Sequence, residues 1–193
     1  MNNQRAKEQV DLVFVCVSNM GRSVFAEFFL PKIIREAAGD LLGRFNTTSA
    51  GFIPQAIKDH LAELNIDIPD PFYGRPIPET TRSFLAGKGI IVPPDWRSKE
   101  LTPAMVEGAD LIITAIPQQK EDLCSLYPET TGKILTIREI SRWEGGLKFE
   151  SFTRLPKDNT YWEYVEEDED YVTTILSEME KCLTLAFPHI LER

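Results

Sequence analysis

Residues 11–17, DLVFVCV, are an apolar run with no polar alternation after the first acid. Such a run predicts a strand covered on both faces, as in a parallel sheet. Ser18, Asn19 and Gly21 supply turn residues. From Arg22 the period changes: Phe25, Phe28, Phe29, Ile33 and Ile34 share one face at helical spacing. Pro31 predicts a kink or a break in that helix. RFNTTSA (44–50), closed by Gly51, predicts a second strand, and AIKDHLAEL (56–64) a short helix. The proline-rich stretch 66–78, IDIPDPFYGRPIP, reads as a loop, followed by a helix over 79–86 that stops at Gly87 and Gly89. Thr102 and Pro103 carry N-cap and first-turn signals for a helix over 102–109. DLIITAI (110–116) predicts a strand, PQQKEDLCSLY (117–127) a helix and KILTI (133–137) a further strand. Residues 141–162 read as irregular, and DYVTTILSEMEKCLTLAF (170–187) as a closing amphipathic helix. Strands alternating with helices imply an α/β fold: a single domain with a central four-stranded parallel sheet and helices on both faces.

The length, 193 residues, fits one domain with a core of its own. The net charge of −9 makes nucleic acid or an anionic membrane a poor partner. The opening MNNQRAKEQVD is polar, without the apolar stretch of a secretory signal, and no run approaches the roughly 20 apolar residues of a membrane helix. Three cysteines, Cys16, Cys124 and Cys182, are an odd number at wide spacing, which argues against a disulfide framework and for a reducing cytoplasm. With only His60 and His189, no metal cluster suggests itself, and both histidines are expected at the surface. Cys124, Cys182, Trp96 and Trp143 are expected to serve packing. The acidic run EYVEEDED (163–170) reads as a solvated helix start.

The chemistry concentrates where the first strand ends. Cys16 sits at the carboxyl end of that strand, the edge at which α/β sheets bind ligands. The following helix points its free N–H groups into the same space, a ready anion site. The backbone of Val17, Ser18, Asn19, Met20 and Gly21 can curl into a nest around a phosphate or sulfate. Arg22 adds a planar fork matching two phosphate oxygens. Ser23 can donate its hydroxyl to the sulfur, and Asn19 can brace the loop. This positive surrounding favours thiolate over thiol, giving a nucleophile beneath an anion.

Cys16-Val17-Ser18-Asn19-Met20-Gly21-Arg22-Ser23 followed by Ala26-Glu27 resembles the signature loop of the low-molecular-weight protein tyrosine phosphatases. TSAG (48–51), SKELTPAMVEGADLIITA (98–115) and the last helix resemble later stretches of that family, in order. The resemblance implies one phosphatase-like domain over 1–193 with an insertion at 52–75. Its expected activity is hydrolysis of a phosphate monoester, phosphotyrosine in a protein or a small aryl phosphate, through a phosphocysteine intermediate. It implies Cys16 as nucleophile, Arg22 and the loop amides as phosphate ligands, and no cofactor or metal. Gly21, Ser18 and Val24 depart from the family's cysteine, glycine and proline. The family also carries an Asp-Pro pair before its last helix, whose aspartate protonates the leaving group. That region here reads LPKDNTYWEY, giving Asp158 without a proline but with Tyr161 and Trp162 nearby. DIPDPFYG (67–74) looks like the family's acid loop displaced about ninety residues toward the N-terminus, which leaves Asp70 as the alternative acid. Order along the chain favours Asp158. Alternatives of another kind are an arsenate reductase-like enzyme or other phosphoester phosphatase on the same loop, or a phosphate-binding regulatory protein that has lost catalysis. Cys124 alone does not supply the paired cysteines of an arsenate relay.

Overall fold

The computed structural model describes residues 9–69, 72–144 and 169–192. Among these, four strands form one parallel sheet in the order β2-β1-β3-β4. Strand β1 (Val10–Cys16) pairs with β2 (Phe45–Gly51) on one side and β3 (Leu111–Thr114) on the other. Strand β4 (Ile134–Thr136) lies beyond β3. The uninterrupted apolar run is thus the inner strand, whose two faces both meet helices.

Alternate residues of β1 feed two cores, as period-two geometry requires. Leu12 and Phe14 pack with α1 (Arg22–Ala38), α3 (Glu79–Gly87), α6 (Ile137–Ser141) and α7 (Glu169–Leu191). Val13 and Val15 face the other way, with Val106 of α4 (Pro103–Gly108) and Leu123 of α5 (Pro117–Leu126). A third cluster caps the carboxyl ends of the strands. It joins Cys16 to Ile57 and Leu61 of α2 (Gln55–Glu63), to Phe72, and to Ala115 and Ile116. Each fully buried Leu or Phe contributes about 1.5–3 kcal/mol, so the sheet is held firmly on both faces and its carboxyl edge is a rigid platform.

Pro31 does not end α1, which runs on to Ala38. Proline lacks the N–H that would bond the carbonyl four residues back. That carbonyl belongs to Glu27, and the Thr47 hydroxyl of β2 donates to it at 2.9 Å instead. The expected strand 133–137 ends earlier because Thr136 caps a short helix. Its hydroxyl accepts from the Glu139 N–H at 3.1 Å, and its own N–H donates to Glu139 Oε2 at 2.7 Å, a closed capping box. Thr102 caps α4 as expected, accepting from Met105 N–H at 3.3 Å. The last helix continues through Pro188 to Leu191, past the expected end at Phe187. Cys182 is wholly buried within the α7 core, and His60 is half-buried on α2. No helix among the described residues is long and apolar enough to cross a membrane.

Candidate active site

Cys16 is the last residue of β1 and is 1% exposed. Its position is set from both sides: Phe52 N–H donates to the Cys16 carbonyl at 2.8 Å, and Ala115 N–H to the Val15 carbonyl at 2.8 Å. The chain then turns through Val17–Gly21 before α1 begins at Arg22. Asn19 adopts the left-handed region, with φ of 56°, which bends the loop back on itself. The first helical bond is from Phe25 N–H to the Gly21 carbonyl at 2.8 Å, and no side chain caps the helix. Among the described residues, none accepts a hydrogen bond from the backbone N–H of Val17, Ser18, Asn19, Met20 or Gly21. A loop of open donors ahead of a helix N-terminus is an anion cradle.

A chain of side-chain hydrogen bonds leads to the sulfur. Asn19 Nδ2 donates to Ser23 Oγ at 3.0 Å and to Ser49 Oγ at 2.7 Å. Its orientation is fixed because Oδ1 accepts from the Lys99 N–H at 2.8 Å. Ser23 Oγ lies 3.0 Å from Cys16 Sγ. Either atom can donate in this contact; toward a thiolate, which only accepts, the Ser23 hydroxyl is the donor. Ser49 Oγ in turn donates to Glu27 Oε2 at 2.5 Å. Burial raises the pKa of Glu27 above the ordinary carboxylate range, while Ser49, the charge of Lys99 and the Trp96 indole pull it partly back. Lys99 Nζ donates to Thr48 Oγ1 at 2.8 Å.

The loop also has a roof. The Tyr73 hydroxyl donates to the Val17 carbonyl at 3.2 Å, and its ring packs edge-on against Phe72, with centroids 5.0 Å apart. Tyr73 lies over Gly51, where a Cβ would strike the ring and approach the Val17 carbonyl to 2.8 Å. Glycine is therefore required at 51 by close approach. Burial, then the negative charge of Cys16 and of Glu100, push the Tyr73 phenol well above its ordinary value.

The expected loop residues Cys16, Val17, Ser18, Asn19, Met20, Gly21, Arg22 and Ser23 form one continuous turn, with Arg22 as the half-exposed first residue of α1. Asp158 and Asp70 both lie outside the described residues. Cys124 packs in the Val13 core and Cys182 in the Leu12 core, so each thiol sits in a different cluster from Cys16. Ser49, Glu27, Lys99 and Tyr73 join the site without a role expected for them from the sequence. The register Phe14↔Ser49 and the bridge Gly51↔Glu100 bring the first and third of these to the loop.

No family model matches the sequence, and no curated protein sequence matches it. Solved structures do match. A low-molecular-weight protein tyrosine phosphatase from T. tengcongensis superposes with a TM-score of 0.63 and 25% identity, over 94% of this chain and 99% of that one. YfkJ from Bacillus subtilis gives a TM-score of 0.67 at 17% identity, over 97% and 98%. The YwlE arginine phosphatase from Geobacillus stearothermophilus gives 0.64 at 17% identity, over 95% and 94%. The strand order, the cradle after β1 and the superposition over nearly the whole length agree: this chain has the fold of the low-molecular-weight protein tyrosine phosphatases.

Proposed function

We propose that the protein hydrolyses phosphate monoesters as a cysteine-dependent phosphatase, with phosphotyrosine or another aryl phosphate as substrate. The observation that carries this reading is the pairing of a loop whose N–H groups meet no acceptor among the described residues with a Ser23 hydroxyl 3.0 Å from Cys16 Sγ. The amides of Val17–Gly21 and the Arg22 guanidinium hold the three equatorial oxygens, where charge develops. Cys16 attacks phosphorus, an S–P bond forms and the P–O bond to the leaving group breaks. Water then attacks phosphorus, giving its proton to the carboxylate that had served as the acid, and the S–P bond breaks as the thiolate departs, stabilised by the Ser23 hydroxyl. Inorganic phosphate and sulfate occupy the same cradle and compete with substrate. A thiolate nucleophile requires a reducing compartment, which fits the cytoplasm and three free cysteines.

An aspartate protonates the leaving oxygen. Asp158 fits the order of the family motif and is the acid we assign, with Asp70 of the DIPDPFYG stretch as the alternative. The half-buried Val17 and Tyr73 beside the loop are apolar and aromatic and suit an aryl leaving group. Phosphoarginine, the substrate class named for one structural neighbour, is the second reading. The test is turnover of para-nitrophenyl phosphate and of phosphoarginine by the wild type, Cys16→Ser, Asp70→Asn and Asp158→Asn. Loss with Cys16→Ser and Asp158→Asn but not Asp70→Asn is expected. Activity insensitive to Cys16→Ser overturns the function, and loss with Asp70→Asn alone moves the acid to Asp70.

A further inference from the structure

We infer that Ile68 and Tyr73 are specificity-determining residues: with Val17 they form an apolar lip beside the cradle that favours a flat aryl phosphate over a charged guanidino one. The inference rests on the phosphatase reading and names the substrate class of that same site. It starts from the third hydrophobic cluster, where Cys16 packs with α2 and with Phe72. The residues at the margin of this cluster that stay half-exposed are Val17, Ile68 and Tyr73. Val17 is the first residue of the cradle, and the Tyr73 hydroxyl donates to its carbonyl at 3.2 Å. The margin of the cluster is therefore also a margin of the cradle. A flat ring seated there covers its apolar faces. A guanidino group in the same place loses hydration from N–H groups for which the side chains of Val17 and Ile68 offer no acceptor.

The lip comes from residues 52–75, the stretch expected as an insertion, and this stretch is fastened at both ends. Two side chains one turn apart on α5 grip its start. Gln119 Nε2 donates to the Phe52 carbonyl at 2.9 Å, and Asp122 Oδ2 accepts from the Gln55 N–H at 2.6 Å. Asp122 thereby satisfies an N–H of the first turn of α2 that has no partner within the helix. Ile57 and Leu61, at i and i+4 on one face of α2, are buried in the cluster. At the other end the Gly74 N–H donates to the Ser98 carbonyl and the Ser98 N–H to the Arg75 carbonyl, both at 2.8 Å. Phe72 meets the Tyr73 ring edge-on, with centroids 5.0 Å apart. The lip is set before substrate arrives, so binding a ring against it needs little further ordering.

The test uses two non-hydrolysable probes, benzylphosphonate and methylphosphonate, and reads the concentration at which each protects Cys16 from alkylation by iodoacetamide. Both fill the cradle, and only the first carries a ring, so their ratio isolates the lip from general loosening of the loop. In the wild type benzylphosphonate is expected to protect at about tenfold lower concentration than methylphosphonate. Ile68→Ser and Tyr73→Leu are each expected to shrink that ratio about three- to tenfold. Leu64→Ser, which removes an exposed apolar side chain just past α2 and outside the cluster, is expected to keep it. In turnover, the kcat/KM preference for para-nitrophenyl phosphate over phosphoarginine is expected to fall with Ile68→Ser. A wild-type ratio near one, a ratio unchanged in both lip variants, or an equal fall with Leu64→Ser overturns the inference. Protection by neither phosphonate overturns the lip together with the cradle. If the wild type turns over no phosphate ester, the functional reading fails, while the protection ratios still decide the role of Ile68 and Tyr73.

Discussion

Asn19 carries both the bend of the loop and its internal bracing, and replacing it separates the two. Its side chain makes three hydrogen bonds in a site closed to water: to Ser23 Oγ, to Ser49 Oγ and from the Lys99 N–H. At about 1 kcal/mol each, Asn19→Ala forfeits about 3 kcal/mol. The backbone at φ of 56° adds about 1 kcal/mol for an alanine, since only glycine and short polar residues visit that region readily. The expected destabilisation is about 4 kcal/mol, a large part of the 5–15 kcal/mol typical of a domain. Asn19→Gly loses the same hydrogen bonds but not the backbone strain. Greater entropy of its unfolded chain offsets part of that relief, so it should be about 0.5–1 kcal/mol milder than alanine. Urea unfolding with an unchanged m-value measures both. A loss below about 1 kcal/mol for alanine, or a glycine variant less stable than alanine, refutes the reasoning.

Gly51→Ala should destabilise by about 1–3 kcal/mol through overpacking, because the new methyl meets the Tyr73 ring and the Val17 carbonyl at 2.8 Å. Adding Tyr73→Ala to Gly51→Ala should give back part of the loss in a double-mutant cycle, and strict additivity would contradict the close approach. Tyr73→Phe should cost about 1 kcal/mol at neutral pH for the bond to the Val17 carbonyl. The raised phenol binds its proton more tightly in the folded state. Its contribution to stability is therefore complete below the ordinary value of 10.0 and fades as pH rises past it. Unfolding of Tyr73→Phe measured across that range should show a flatter decline, and an identical slope would rule out the buried phenol.

The part of the site that could be read in the sequence is the part that is local. Cys16 to Ser23 lie within one strand end, one turn and one helix start, and residue types with known backbone preferences mark each boundary. The hidden part is non-local. Ser49 becomes a partner of Asn19 only through the parallel register of β2, and Lys99 only because its segment bridges Gly51. Neither residue has a distinctive local pattern. Tyr73 was placed in a proline-rich loop, and its contact with Val17 spans 56 residues. Two local signals carry a second meaning. Thr136-Ile137-Arg138-Glu139 spells a capping box, but it sits at the end of the apolar run ILTI and was absorbed into the strand. Pro31 was read as a kink or a break, whereas the Thr47 hydroxyl relieves the orphaned carbonyl from a neighbouring strand.

The central claim is that Cys16, under a ring of backbone amides, takes the phosphoryl group onto its own sulfur. Acid quench of the wild type during turnover of an aryl phosphate, followed by mass spectrometry of the Cys16 peptide, tests it directly. A phosphoryl adduct on that sulfur, absent from Cys16→Ser together with turnover, is the predicted result. Turnover that persists in Cys16→Ser, or a phosphoryl group found on another residue, would contradict the account.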